Sequence, residues 1–226
     1  MRQTKVKIVF VQSINIIYKF SPPMKNVFSF SIYGNEVKYY KGLKDNINLI
    51  KTHFPSYYIY IYYGLPFNYV WIKEYKAMWD KVVLIPTNKS GLINTLERYR
   101  VLCNDDIDQV FVRDADSEIN ERDRWCINRF LESSYTVHTI RDHYHHKQKL
   151  MAGLTAFKFN SLVNKNAIKQ ELDSILSKKP SLENEEKKYG DDEKWLEKYI
   201  YPLIKDQLLV HTNINPYSGE NYEKIQ

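Results

Sequence analysis

Two aspartates separated by one residue lie in a highly charged stretch, FVRDADSEINERDRW, which runs from Phe111 to Trp125. Asp114 and Asp116 come at the end of an apolar run that is typical of a buried strand. Carboxylates this close repel each other and lose solvation, so something must compensate them. The compensation is either a cluster of ion pairs with the neighbouring arginines or a bound metal ion, and only the second makes the stretch a functional site.

The spacing of the two aspartates favours the metal ion. Side chains two residues apart in an extended segment point to the same face, so both carboxylates can reach one hard cation such as Mg²⁺ or Mn²⁺. Ala115 between them points the other way and keeps the local backbone slim. A cation held in this way leaves positions open for a diphosphate and stabilises the charge that develops on a leaving phosphate.

The composition is that of an ordinary folded chain, with 226 residues of which 43% are hydrophobic and 27% charged. The net charge of +6 and the pI of about 9.0 favour an anionic partner such as a nucleotide phosphate, and a plain basic surface is the alternative. Two cysteines are too few for a disulfide framework, so we expect a reducing compartment and a cytoplasmic protein. The apolar start is interrupted by polar residues, which predicts a strand and not a signal peptide, and no membrane span is expected.

Alternating strands and helices must position the two aspartates. Strands are predicted at 5–14, 26–34, 57–64, 81–86, 108–112 and 135–140. Helices are predicted at 36–54, 68–79, 92–102, 119–131, 163–176 and 194–209. The first helix has an inner face of Val37, Tyr40, Leu43, Ile47, Ile50 and Phe54, and the polar segment 177–193 is an expected exposed loop or flap. The pattern indicates an α/β fold with a mainly parallel sheet flanked by helices, in which ligands bind beyond the carboxyl ends of strands.

The charged stretch and its surroundings resemble a known family. FVRDADSEINERDRW, the later HTIRDHYHH and YGDDEKWLEKYIYPLIKDQLLVHTN are similar to GT-A-type glycosyltransferases with a metal-binding D-x-D motif, above all to those of large DNA viruses and a related bacterial group. FSFSIYGNEVKYYKGLKDNINLIKTHFPSYYIYIYYG is similar to the first nucleotide-binding strand and helix of that family. The likeness extends over about residues 26–213.

The resemblance implies a single-domain GT-A (Rossmann-like) fold over 1–226. The nucleotide-binding half would lie at about 1–117 and the acceptor-side half at about 118–226. It also implies a nucleotide-sugar donor, with a UDP-sugar favoured over a GDP-sugar, and a hydroxyl acceptor on a glycan or glycoprotein. A nucleic acid partner is not expected.

The resemblance also implies a metal site. Mn²⁺ or Mg²⁺ would hold the donor through Asp114 and Asp116. His211, which follows the last predicted helix in LLVHTN, matches a C-terminal histidine that often provides a third ligand in such folds. A surface histidine is the alternative.

Further residues are candidates for donor binding. Ser31, Tyr33 and Gly34 end the strand that lies beneath the nucleotide in GT-A folds, where Tyr33 could stack on a base or ribose and Gly34 could let the backbone approach the ligand. A plain strand-to-helix turn is the alternative. Arg98 matches an arginine that precedes the metal strand and could reach phosphate or base, unless it is a solvated helix arginine. The remaining candidates are Arg113, Ala115, Arg141, Asp142 and Gly153, and for Arg113, as for Arg122, structural ion pairing is favoured.

The segment RDHYHHK suggests zinc at first, because three histidines and an aspartate are close in sequence. Their spacing matches no common zinc signature. We interpret Arg141 and Asp142 as a pair that binds the donor sugar or supports the framework, with His143 and His146 supporting the pocket.

Two acidic residues at the start of the last predicted helix are the candidate catalytic base. The family shows Tyr-x-x-Asp-Gln at this place, whereas this chain has Asp191, Asp192 and then Glu193 in place of the glutamine. Such a carboxylate could deprotonate the acceptor hydroxyl in an inverting reaction. A first-turn acid that is favoured by the helix dipole is the alternative.

Two other functions fit parts of the sequence. A metal-dependent nucleotidyltransferase or nuclease also uses paired carboxylates, but a further acidic ligand and a phosphate-binding loop are not evident. A non-catalytic module that binds sugar or nucleic acid would fit the 19 tyrosines and the basic charge. The interleaved basic and aromatic pattern that such a module requires is not visible.

Overall fold

The computed structural model describes residues 24–158, 164–177, 190–214 and 216–226. The strand predicted at 5–14 and most of the predicted polar loop at 177–193 lie outside these residues. The two catalytic candidates Asp191 and Asp192 lie inside them.

The strands of the described residues form one sheet. They are β1 (Lys25–Ile32), β2 (Tyr58–Leu65), β3 (Val82–Ser90), β4 (Ile107–Arg113), β5 (Val137–Ile140), β6 (Leu154–Lys158), β7 (Leu208–His211) and β8 (Asn221–Glu223). Their spatial order is β3-β2-β1-β4-β6-β5-β7-β8. Only the two pairings of β6 are antiparallel, and the other pairs are parallel. The predicted α/β fold with a mainly parallel sheet is confirmed.

Helices flank the sheet on both faces. They are α1 (Val37–His53), α2 (Tyr69–Met78), a 3₁₀ helix (Gly91–Cys103), α3 (Glu121–Glu132), α4 (Lys165–Leu176), α5 (Asp191–Trp195) and α6 (Tyr201–Ile204). A π-helical turn at Leu196–Ile200 joins α5 to α6, and a 3₁₀ turn at Lys205–Gln207 follows α6. Among the described residues, every helix is too short or too polar to cross a membrane.

The central strands are buried on both sides, as expected for a covered parallel sheet. In β1 every residue from Val27 to Ile32 is buried. Phe28 and Phe111 pack on the face that α1 covers, whereas Val27 and Val112 pack on the face of the 3₁₀ helix and the C-terminal helices. These two apolar layers hold β1 and β4 in register with each other. They therefore determine the edge of the sheet at which both strands end.

Two expectations about the helices are wrong in detail. Val37 begins α1 but is 51% exposed, and the inner face of that helix holds Asn46 instead. The helix predicted at 194–209 has a π-helical turn just before Pro202, which lacks the N–H of a helical hydrogen bond, and it ends at Gln207 instead of 209. Its last two residues belong to β7, because the run Leu208–His211 is buried between β5 and β8.

Candidate functional site

The candidate site lies at the carboxyl edge of the sheet, where β1 and β4 end side by side. Ser29 of β1 pairs with Val112 of β4, so the residues after both strands emerge together. Asp114 follows β4 directly, at the edge where ligands bind in sheets of this kind. The position predicted for the two aspartates, at the end of a buried strand, is confirmed.

One buried guanidinium joins two of the predicted site residues. Arg98 of the 3₁₀ helix donates through Nη1 to a carboxylate oxygen of Asp114 and, at 3.1 Å, to the carbonyl oxygen of Arg113. Its Nη2 donates at 2.9 Å to Oδ2 of Asp192, in the first turn of α5. Burial lowers the pKa of Arg98, but the neighbouring acidic groups outweigh this and raise it above its usual value. Arg98 therefore stays charged and is not the solvated helix arginine of the alternative interpretation.

Helix α1 packs against the loop that follows β4 and stabilises it. The buried side chain of Asn46 donates to the carbonyl oxygen of Ser117 at 3.0 Å and accepts from the backbone N–H of Ile119 at 3.0 Å. A Cβ atom on Gly42 would lie 2.5 Å from the carbonyl oxygen of Ala115, so only glycine allows this approach. We did not predict either residue, although an asparagine within an apolar helix stripe is a visible signal of a buried polar contact.

Gly153 lies directly against the first aspartate. A Cβ atom at this position would be 1.8 Å from Oδ2 of Asp114, so any other residue would displace the carboxylate. The neighbouring Ala152 accepts a hydrogen bond of 2.6 Å from the Tyr99 hydroxyl. The structure thus brings Gly153 to the site, and its binding to a donor stays a prediction.

The two aspartates keep their carboxylates partly open to solvent. The side chain of Asp114, which is paired with Arg98, is 46% exposed, and that of Asp116, which lies 3.5 Å from Lys38, is 38% exposed. Ion pairs therefore compensate both carboxylates in the metal-free protein, as in the first alternative of the sequence analysis, although the partner of Asp114 is the distant Arg98 and not a neighbouring arginine. Carboxylate oxygens are ligands that Mg²⁺ and Mn²⁺ accept. In the described ranges, however, no group of three or more histidine, cysteine, aspartate or glutamate side chains is close enough to hold a metal ion.

His211 is not brought to the two aspartates. It ends β7, and β6 and β5 separate that strand from β4. Its Nδ1 lies 2.7 Å from Nε2 of His138, and its Nε2 lies 3.2 Å from Oε2 of Glu223. Burial lowers the pKa of His211 to about 4, although Glu223 acts in the opposite direction. The described residues therefore do not assemble the predicted ligand trio, and the role of His211 as a third ligand stays a prediction.

Two of the predicted donor-binding arginines are fully buried in ion pairs. Arg113 donates to Asp123 at 3.0 Å, on the face of the sheet that α3 covers. Arg141 pairs with Glu220 and lies 4.6 Å from the centre of the Tyr217 ring. Both contacts support the structural interpretation of these side chains.

Asp142 and Arg141 bind different partners. Asp142 binds Arg122 at 3.2 Å and lies 3.7 Å from His146. The favoured structural ion pair of Arg122 is present. Binding of a donor by Asp142 stays a prediction.

The residues after β1 close a tight turn. Gly34 has a positive φ of 76°, its N–H donates to the carbonyl oxygen of Pro66 at 2.6 Å, and its own carbonyl accepts from Tyr40 at 2.8 Å. Ser31 is buried, with its hydroxyl 3.5 Å from the carbonyl oxygen of Thr95. These contacts support the turn interpretation of Gly34, and the roles of Ser31 and Tyr33 toward a nucleotide stay predictions.

The three acids at the start of α5 differ in their surroundings. Asp191 contacts Lys194 at 3.1 Å, whereas Asp192 is bound to Arg98 with its side chain only 14% exposed. Burial, and next the charges of Asp192 and Asp114, raise the pKa of Glu193 to about 7. Asp192 and Glu193 are therefore linked to the site, and we did not predict Glu193, because its environment depends on contacts between distant parts of the chain.

No protein-family model matches the chain, and no curated protein matches its sequence. Among solved structures, the mannosyltransferase PcManGT from Pyrobaculum calidifontis in complex with GDP-Man and Mn²⁺ has a TM-score of 0.51 at 15% identity, over 90% of this chain and 57% of its own. A glycosyltransferase involved in the glycosylation of the major capsid of PBCV-1 has a TM-score of 0.51 at 13% identity, over 84% and 82%. S. aureus TarS 1–349 has a TM-score of 0.51 at 13% identity, over 89% and 60%.

At such low identity these likenesses concern the fold. The chain spans only 57% of the mannosyltransferase and 60% of the TarS structure, so parts of those proteins have no counterpart in it. The expected fold class is confirmed: the chain has a GT-A-like α/β fold with one mainly parallel sheet, as the matched structures do.

Proposed function

We propose that the chain transfers a sugar from a nucleoside-diphosphate donor to a hydroxyl group of a glycan or glycoprotein. The contact that carries the proposal is the Arg98 guanidinium, which binds Asp114 at the end of β4 and Asp192 at the start of α5. It joins a metal-ligand candidate and a catalytic-base candidate at the carboxyl edge of a GT-A-like sheet. Two of the matched structures are named a mannosyltransferase and a glycosyltransferase, which supports the same reaction class.

Asp114 and Asp116 fit a divalent cation of the Mg²⁺ or Mn²⁺ type. Such ions use one or two carboxylates and take the remaining ligands from substrate phosphates and water, so two partly exposed carboxylates suffice when a diphosphate is present. PcManGT is described in complex with both GDP-Man and Mn²⁺. When bound, the cation would stabilise the negative charge on the departing diphosphate.

The protein's own residues would hold the acceptor proton and the reacting groups. In an inverting reaction the acceptor oxygen forms the new bond to the sugar, its proton passes to a carboxylate, and the diphosphate leaves with the electrons of the broken bond. Asp192 is the base in our proposal, and Arg98 would fix its orientation. Glu193 is a second candidate, because a pKa of about 7 suits proton transfer near neutral pH.

Thermal unfolding with nucleotides and metal tests the proposal. We expect UDP or GDP, and their sugar derivatives, to raise Tm only when Mn²⁺ is also present. A ligand at 100 times its Kd adds about 2.7 kcal/mol, which is about 5–11 °C for a chain of this length. The variant Asp114→Asn should lose this response, and Asp105→Asn, which removes the same charge from a fully exposed side chain, should keep it.

A different thermal response would contradict the proposed function. A similar rise in Tm with any polyanion, unaffected by Asp114→Asn, would favour the non-catalytic binding module. With a donor that binds, transfer to a panel of sugar acceptors should fall at least about 100-fold in kcat for the variant that lacks the base. Comparison of Asp192→Asn with Glu193→Gln then identifies which carboxylate takes the proton.

A further inference from the structure

A cavity of about 260 Å³ lies beside the loop that carries Asp114 and Asp116. It is bounded by that loop, by the first half of α3 and by the ends of β5 and β6. Its polar wall is formed mainly by Glu118, Asn120, Arg122, Asp123 and Asp142.

The cavity is next to the predicted metal and donor position. Leu154, on its floor, pairs in the sheet with Arg113, the residue before Asp114. Gly153, the neighbour of Leu154, contacts the Asp114 carboxylate. A ligand in the cavity would therefore lie beside the group that is proposed to hold the donor diphosphate.

The charge of the cavity argues against a phosphate ligand. Three carboxylates and one guanidinium line it, so its own wall is net negative. Arg113, which does not line the cavity, binds Asp123 through its guanidinium at 3.0 Å. Arg122 is already paired with Asp142 at 3.2 Å. A diphosphate would be repelled here, whereas a neutral polyol can donate its hydroxyl hydrogens to carboxylate oxygens and accept from the guanidinium.

The size and the floor of the cavity fit one sugar ring. Its volume of about 260 Å³ is slightly below the range of about 300–1,000 Å³ that is typical of sites for drug-sized ligands. Ile140, Leu154 and Ile225 form an apolar floor opposite the polar wall. A pyranose ring has matching apolar and polar surfaces, with C–H groups on its faces and hydroxyl groups around its edge.

We propose that this cavity is the acceptor subsite and that it binds one neutral pyranose ring of the acceptor glycan. Asp142 and Arg122 would bind neighbouring hydroxyl groups of the ring, and Asn120 would contact a third. The assignment rests on the proposed function. It changes the expected role of Asp142 from the donor to the acceptor, in agreement with the location of all but one of the lining residues in the acceptor-side half, 118–226.

An array of immobilised oligosaccharides, probed with the labelled full chain in EDTA and without nucleotide, tests this assignment. We expect at least one class of neutral glycan to bind, and the strongest array oligosaccharide is then titrated in solution. Asp142→Asn should weaken that binding at least tenfold. Asp173→Asn, which removes a carboxylate from another partly exposed arginine pair, should leave it unchanged.

A second variant covers the case in which Asp142→Asn fails to fold. Ser117→Trp places a large side chain at the cavity wall without removing a charged partner, and it should also abolish glycan binding. Unchanged binding in a folded variant of either kind would overturn the assignment, as would the absence of any glycan bound by the wild-type chain.

The test of the cavity assignment can fail independently of the test of the proposed function. Asp114→Asn should remove the Mn²⁺-dependent response to nucleotides while glycan binding persists, because its carboxylate does not line the cavity. Glycan binding without any nucleotide response would preserve the cavity assignment and contradict the transferase. A nucleotide response without any glycan binding would preserve the proposed transferase and contradict the cavity assignment.

Discussion

Replacing Arg98 with methionine tests whether one buried guanidinium holds the two parts of the candidate site together. In the folded protein this group donates to Asp114, to Asp192 and to the carbonyl oxygen of Arg113. Methionine can fill much of the same space, but it leaves Asp192 without a counter-charge in a largely buried position.

The size of the effect is set mainly by Asp192. Breaking a buried ion pair by removing one partner costs about 3–5 kcal/mol, whereas an exposed pair contributes at most about 1 kcal/mol. The Asp114 carboxylate is 46% exposed, so its share is small. We expect a loss of about 3 kcal/mol in the free energy of unfolding, which corresponds to about 6–12 °C in Tm.

Urea unfolding of the metal-free protein at neutral pH measures this loss. The matched control is Arg129→Met, because Arg129 also pairs with two acids but is 46% exposed, and its partners Glu132 and Glu223 are 68% and 31% exposed. Adding Asp192→Asn to Arg98→Met should restore at least about 1 kcal/mol, since it removes the uncompensated charge. The reasoning is refuted if Arg98→Met is no less stable than the control, or if the second substitution restores nothing.

Three further predictions concern two residues that support the site and the buried His211. Gly153→Ala should abolish the Mn²⁺-dependent rise in Tm with nucleotides, because its Cβ would displace the Asp114 carboxylate; an unchanged response would contradict the contact. Asn46→Ala should lower the free energy of unfolding by about 2–3 kcal/mol in urea, since buried loop groups lose their partners. For His211, with a folded pKa of about 4 against about 6.5 unfolded, the unfolded chain binds more protons between these values. The share of stability that His211 contributes should therefore be complete above pH 6.5 and be lost, up to about 3 kcal/mol, as the pH falls to 4. In urea titrations of the metal-free protein at fixed pH, His211→Gln should remove this share and leave that of His138, whose pKa burial also lowers.

Local patterns in the sequence predicted most of the sheet and the position of the acidic pair. The helical period of Tyr40, Leu43, Ile47 and Ile50 is confirmed by their burial in α1, because one apolar stripe must face the sheet. The apolar run before Asp114 forms β4, and its end defines the site. These features depend on periods of two and of 3.6 residues, which a single segment contains in full.

Other parts of the site depend on contacts between distant segments. The pairing of Arg98 with Asp192 spans 94 positions, and no local pattern encodes it. The imidazole of His211 is held by His138 and Glu223, which belong to different strands of the sheet. The last predicted helix ends before residue 209, because Leu208 and the residues after it form β7, which is buried between two other strands.

The two edge strands of the described sheet affect whether a strand of another molecule can pair with it. One edge is β3, which carries Pro86 and Lys89, and the other is β8, which has three residues and is followed by Lys224. A proline lacks the donor that an added strand would need, and short or lysine-bearing margins resist continuation of the ladder. Within the part of the chain that the structure describes, both margins thus disfavour growth of the sheet from one molecule into the next.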